Sequence, residues 1–247
     1  MPYSSNNTTN SRMKSFLNKM QQLYFGYLFI ALVPLAMLAF WKTYFSGLLT
    51  SHHSFHFYFH LHVVTAVCWL VLLIVQPILF RQKKLVLHRK LGKLSYVLFP
   101  LLMVSIILLA HYRYLITPAP EPVQLLIPFK DIIIAIYGFS IALYHKKRVL
   151  LHARGMLLTG LVFLEPVLVR VFSNYILRWP YAMYMVMGVI YSIFIIIIIS
   201  ERKTKEGRWI FPPVFLFYIL VHLAILNNWN IPFFNAFANW FSHFDLT

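Results

Sequence analysis

Seven apolar runs, separated by short polar stretches, divide this chain. They lie near 22–41, 61–80, 94–112, 124–144, 155–174, 181–200 and 209–227. Each approaches the ~20 helical residues that a hydrocarbon core about 30 Å thick requires. In lipid every backbone amide must be bonded internally, so runs this apolar are predicted to be helices. The expected fold class is therefore all-α, a polytopic bundle of seven transmembrane helices over 22–227. A polar tail precedes it over 1–21, and an aromatic tail follows it over 228–247. The first run is too long and too poorly flanked for a cleaved signal and reads as a signal-anchor helix.

The polar stretches are not independent of one another. Lys83-Lys84-Leu85-Val86-Leu87-His88-Arg89-Lys90-Leu91-Gly92 has a near-copy 64 residues on, Lys147-Arg148-Val149-Leu150-Leu151-His152-Ala153-Arg154-Gly155. Each places a basic pair before a histidine, then Arg and Gly, then a new apolar run. This predicts two helical hairpins of the same orientation, helices 2–3 and 4–5, forming a parallel repeat about an axis along the membrane normal. Prolines 34, 77, 100, 128, 166 and 213 fall within or near the ends of runs and permit kinks. Those at Pro128 and Pro166 would open space beside the polar residues next to them.

Charge sets the orientation. Lys and Arg gather around Arg12–Lys19, Arg81–Lys93, Lys146–Arg154 and Arg202–Arg208, which together hold 17 of the 22. The alternate connections carry only Lys42, Arg113 and Arg178. This is the positive-inside pattern, with the N-terminus cytoplasmic and the C-terminus external. The net charge of +16 follows from that pattern, so no nucleic-acid partner is expected. A composition 60% hydrophobic and 11% charged could not cover the surface of a soluble domain. Cys68 is alone, so no disulfide framework exists. Trp229, Phe233, Phe234, Phe237, Trp240 and Phe241 mark the last tail as an amphipathic segment in the headgroup layer.

An ionisable residue inside a span costs roughly 3 kcal/mol on insertion scales and is a functional candidate. Asp131 and its neighbour Lys130 lie in the fourth run, and Glu165 and Arg170 lie in the fifth. His60 and His62 open the second run on the same side, where His111 and Arg113 close the third. Either these charges pair internally, through Lys130 or Arg170, or they line a site. His62, Trp69 and Gln76 are spaced by seven and share one helical face, a face expected to look inward as a pocket wall. Asp131, Gly138 and His145 repeat that spacing.

At the basic end, His88 and His152 would be related by the repeat. Imidazole nitrogens ligate transition metals and haem iron, so His62, His88, His111 and His152 are the metal or haem candidates. Arg89 and Arg154 are placed there as contacts to lipid headgroups. His52, His53 and His56 form a further histidine cluster on the opposite side.

His60-Leu61-His62, Trp69, Gln76 and Leu87-His88-Arg89-Lys90-Leu91-Gly92 together resemble an uncharacterised family of bacterial membrane proteins of about seven helices. In that family a His-x-His segment, a Trp and a Gln precede a Leu-His-Arg-x-Leu-Gly loop. Pro128, Phe129 and Asp131, then His152, Arg154, Met156, Thr159 and Arg170, match its second block. The resemblance covers about residues 35–175. It implies a multi-pass protein of the bacterial cytoplasmic membrane and supplies no activity. Lys130 and Glu165 are not part of its pattern.

The expected function is an intramembrane pocket lined by histidine and aspartate, binding haem or a transition metal in a redox role. The alternatives are a small-molecule or ion carrier and a non-catalytic accessory subunit of a membrane complex. Ligand candidates are His60, His62, Trp69, Gln76, Asp131, Glu165 and Arg170. The expected partners are the lipid bilayer and a membrane complex or a second copy. A zinc hydrolase ranks lower, because the seventh run offers only His222. A retinal protein is disfavoured, because that run has no lysine.

Overall fold

The computed structural model describes residues 29–50, 55–178 and 180–247. Those residues form helices and connecting turns, with no β-strand among them. The first helix, α1, covers Phe29–Thr50 and contains a π-helical turn at Trp41–Phe45. It is followed by α2 (Phe57–Arg81), α3 (Leu85–Gly92) and α4 (Ser95–Ile116). A 3-10 turn over Pro122–Leu125 leads into α5 (Leu126–Tyr144), then come α6 (Val149–Leu161) and α7 (Leu164–Tyr175). The chain closes with α8 (Tyr181–Glu201), α9 (Phe211–Leu226) and α10 (Pro232–Ser242). The expected polar tail, and His52 and His53, lie outside the described residues.

Among the described residues six segments are long and apolar enough to cross a membrane: Phe29–Thr50, Phe57–Arg81, Leu85–Ile116, Pro122–Tyr144, Val149–Tyr175 and Tyr181–Glu201. The seventh expected span is present as α9 but has only 16 residues. It rises about 24 Å, short of a full hydrocarbon core, and Pro212 and Pro213 within its first turn set where it starts.

Two of the six are jointed, and proline chemistry explains one joint. Pro166 has no N–H, so the carbonyl of Val162 loses its partner one turn on. The helix breaks at Val162–Phe163, and Glu165 falls in the first turn of α7. There the positive end of the helix dipole favours a carboxylate. Pro77 and Pro100, by contrast, sit inside unbroken helices. The other joint, between α3 and α4, follows Gly92.

The main core is an apolar cluster running through the bundle, with Trp69, Leu102, Leu158, Val186 and Phe211 among its most buried members, and a smaller cluster joins Leu125, Ala238 and Phe241. Helices α2 and α4 pack as one hairpin and α5 and α6 as the other. α8 packs on α7 and on α9, and α9 returns against α5. Helix α10 lies over the start of α5, where Phe237 and Phe241 meet Phe129 edge-on. Its opposite face leaves Phe233 82% exposed.

Two glycines set the α5–α6 approach. A Cβ on Gly155 would fall against the Gly138 carbonyl and Ala142, and one on Gly138 would fall against the Gly155 carbonyl and Leu158. Backbone this close is the usual basis of tight helix pairing in lipid. Gly155→Val is expected to cost about 1–3 kcal/mol by overpacking, read as a lower melting temperature in detergent. Gly188→Val, where nothing lies within 4 Å of the added carbon, should show no packing penalty.

Candidate functional site

The centre of interest is a chain of polar groups crossing the apolar core between α5, α7, α8 and α9. Lys130 Nζ lies 2.5 Å from Glu165 Oε2 and 2.9 Å from Asp131 Oδ1. His222 Nε2 approaches the same Glu165 oxygen at 3.3 Å. The Tyr191 hydroxyl stands 3.1 Å from His222 Nδ1. The Lys130 ammonium also sits 4.1 Å from the centre of the Tyr218 ring, a cation–π contact that lowers the cost of holding it out of water.

Burial is near complete in the middle and relaxes at both ends. Lys130, Glu165, His222 and Tyr218 are each at most 2% exposed, Asp131 is 9% exposed and Tyr191 is half-buried. Glu165 to Tyr175 on α7, and Tyr181 to Tyr191 on α8, are equal rises of about 15 Å. The cluster therefore lies about 15 Å along both helices from that end of the bundle.

Charge arithmetic makes the cluster unusual. One ammonium faces two carboxylates, leaving one negative charge unless a proton resides on His222 or on a carboxyl group. A net charge at this depth is costly, so the group is neutral only while it holds that proton. Two approaches are ion-pair contacts without hydrogen-bond alignment, since Asp131 Oδ1 and His222 Nε2 lack a hydrogen-bond partner among the described residues. The wire is complete in distance and loose in alignment at those two joints.

Of the two pairing possibilities open in the sequence, Lys130 takes both acids. Arg170 takes neither. It donates from Nη1 to the Pro166 carbonyl at 2.8 Å and lies 4.6 Å over the Phe40 ring. The inward face of α2 is confirmed at its centre, for Trp69 is fully buried against Phe99 and Phe139. His62 Nδ1 meets Ser105 Oγ at 3.2 Å, and the same hydroxyl meets Thr65 at 3.0 Å. Gln76 is half-buried, and its amide oxygen and nitrogen are sealed without a partner among the described residues. His60 pairs with the Tyr44 hydroxyl at 2.6 Å. Asp131 and the His62 stripe therefore have separate sets of partners rather than lining one wall.

The remaining histidines are held one by one. His88 donates from Nδ1 to the Gln76 carbonyl at 3.2 Å, and His152 to the Ala142 carbonyl at 2.9 Å. His111 is fully buried, with Nδ1 2.6 Å from Thr247 Oγ1 and its ring edge-on to Phe241. His56 stacks against both Tyr58 and Tyr112, whose rings also touch each other. Among the described residues no three His, Cys, Asp or Glu side chains converge on a metal-sized site.

The basic end brings one correction. Arg89 is exposed. Arg154 is 1% exposed instead, donating from Nε to Glu201 Oε1 at 2.7 Å and from Nη1 to the Glu206 carbonyl. It ties α6 to the end of α8 and to the following turn. Gly207 there adopts φ +80, and a Cβ on it would strike the Arg154 side chain. The arginine is a structural tie because a carboxylate from a distant helix reaches it.

Lys130, His222, Tyr218 and Tyr191 are the members of the cluster that sequence reasoning did not single out as ligands. The signal for two of them was present, since Tyr218 and His222 are four apart and share a face of α9. No family model matches the chain, and no curated protein or solved structure matches it.

Proposed function

We propose that this protein is a proton-linked carrier of the cytoplasmic membrane, whose exchange site is the Tyr191–His222–Glu165–Lys130–Asp131 chain. One observation carries the reading: a single ammonium between two carboxylates, buried in the apolar core, neutral only with an additional proton. Such a group couples proton occupancy to local charge, and ionisable residues at this depth mark ion and proton routes in membrane proteins. The half-buried Tyr191 hydroxyl and the Asp131 carboxylate are the two ends at which a proton would enter and leave. In this arrangement α9 serves as a seventh crossing, the basic loops face the cytoplasm, and α10 lies in the outer headgroup layer over Phe129.

The parallel repeat fits the same picture. His88 and His152 each hold a carbonyl of the helix before them, an equivalence that positive-inside charge alone would not produce. Gly92 and Gly155 are less alike, for only Gly155 is closely packed.

The test is labelling with dicyclohexylcarbodiimide, which adds to protonated carboxyl groups in apolar surroundings. The expected result is modification of Glu165 or Asp131 that fades as pH rises, with a water-soluble carbodiimide leaving both untouched. Equal labelling by the two reagents, or none at any pH, contradicts the proposal.

A second reading, haem or metal binding in a redox role, draws support from His88 and His152. Both spend Nδ1 on a carbonyl, the orientation that leaves Nε2 for a metal. An absorption spectrum and elemental analysis of the purified protein separate it from the carrier.

A further inference from the structure

The proton that neutralises the Lys130 cluster is one unit of positive charge, and another cation can supply that unit. Lys130 Nζ meets one oxygen of each carboxylate, Asp131 Oδ1 and Glu165 Oε2. The second oxygens, Asp131 Oδ2 and Glu165 Oε1, are the ones left for a further cation. Two acids against one ammonium leave a balance of minus one, so a monovalent ion completes it. A divalent ion would overshoot to plus one, and that charge is as costly to bury as the first.

Two acids alone do not make an ion site, and two further observations point to one. The first is unused polar capacity around the pair. His222 is fully buried with Nε2 3.3 Å from Glu165 Oε2, yet that nitrogen makes no hydrogen bond among the described residues. Asp131 Oδ1 lacks one as well. Polar atoms sealed in apolar surroundings are ordinarily satisfied, so these are placed for a ligand.

The backbone supplies the second observation. The α6–α7 joint falls at Val162–Phe163, just before Glu165. Pro166 offers no N–H to the Val162 carbonyl, and no other backbone N–H reaches that carbonyl among the described residues. Val162 keeps helical dihedrals, φ -61 and ψ -25, so its carbonyl points along the axis toward the turn holding Glu165 and Pro166. In broken spans of membrane carriers, freed carbonyls of this kind coordinate Na⁺ or H⁺. Carboxylate and carbonyl oxygens are hard donors, suited to hard cations rather than to the softer transition metals.

We propose that Asp131, Glu165 and the Val162 carbonyl bind a monovalent alkali cation, which takes the place of the exchangeable proton. Lys130 stays charged in both states, held by the same two oxygens and by the Tyr218 ring. One cation enters as one proton leaves, so the cluster is neutral before and after. The inference rests on the carrier reading and names its substrate class, an alkali ion exchanged for a proton.

The full chain, purified in detergent, is placed in weak buffer with a pH indicator and titrated with sodium, lithium or potassium chloride. Choline chloride at equal ionic strength is the reference. At least one alkali salt should release about one proton per chain, with half-saturation tightening about tenfold per pH unit of rise while the site is protonated. Glu165→Gln should release none. Glu121→Gln, at an exposed acid before α5, should release as the parent does. The same salt should protect Glu165 or Asp131 of the parent from dicyclohexylcarbodiimide, which keeps the test open should Glu165→Gln fail to fold. Absence of either effect above choline overturns the cation site, as does equal release in Glu165→Gln. Labelling that fades with rising pH yet ignores every alkali salt removes the substrate and leaves the proton site standing, so the two proposals fail separately.

Discussion

Lys130→Met should lose about 3–5 kcal/mol of stability, the cost of stripping one partner from a buried ion pair. The loss is not that of two good contacts. It comes from leaving Asp131 and Glu165 as neighbouring acids in an apolar interior, both formerly in contact with the same ammonium. The prediction is therefore specific about rescue. Lys130→Met with Asp131→Asn and Glu165→Gln removes all the charges together and should recover much of the folded protein. Size-exclusion profiles and thermal melts in detergent read both effects. A Lys130→Met protein as stable as the parent would show that the carboxylates do not depend on it.

Arg154→Met should have a comparable effect by the same physics at the other end of the bundle. Glu201 would keep one neighbour fewer in a site only 5% exposed, at a cost of about 3–5 kcal/mol. Here the local consequence can be read as well. Arg154 also fixes the turn carrying Glu206 and Gly207, so Arg154→Met should open Arg202–Arg208 to trypsin. Adding Glu201→Gln should restore the melting temperature more than the protease resistance, because the carbonyl contact stays lost. Restoration of both together would mean that the arginine acts through the carboxylate alone.

The two ties differ in how far the sequence revealed them. The apolar runs gave the helices, since backbone bonding in lipid leaves no other solution. The seven-residue stripe gave the inward face of α2, because helical periodicity fixes which side chains share a face. Glu165 was a candidate by its cost alone, and Pro166 beside it signalled the break that places it at the start of α7. Lys130 was harder. It is adjacent to Asp131, and neighbours in sequence point about 100° apart on a helix, so spacing gave no reason to pair them. The contact exists because a four-carbon stem lets the ammonium bend back while reaching Glu165.

Arg154 shows the opposite error. Its basic surroundings made it look like a headgroup contact, as they did Arg89, which is exposed. What moved Arg154 inward is Glu201, 47 residues away, at the end of a helix with no other acid in it. No periodicity connects those positions, and only packing of α6 near the end of α8 does. The His62 stripe and Asp131 have separate partners for a related reason. Each polar group found a nearer partner: Ser105 for His62, Lys130 for Asp131. Helix faces are legible one at a time, and which faces meet is decided by the whole bundle.

The claim on which the account turns is that the buried chain from Tyr191 to Asp131 exchanges a proton across part of the membrane. It is tested most directly by charge displacement. Protein reconstituted in vesicles on a supported membrane is exposed to a step in proton concentration without any substrate. The account predicts a transient current in the parent protein that is abolished in Glu165→Gln, reduced in Asp131→Asn and unchanged in Gly188→Ala. A parent protein that gives no transient above empty vesicles, or a Glu165→Gln current equal to the parent's, would contradict it.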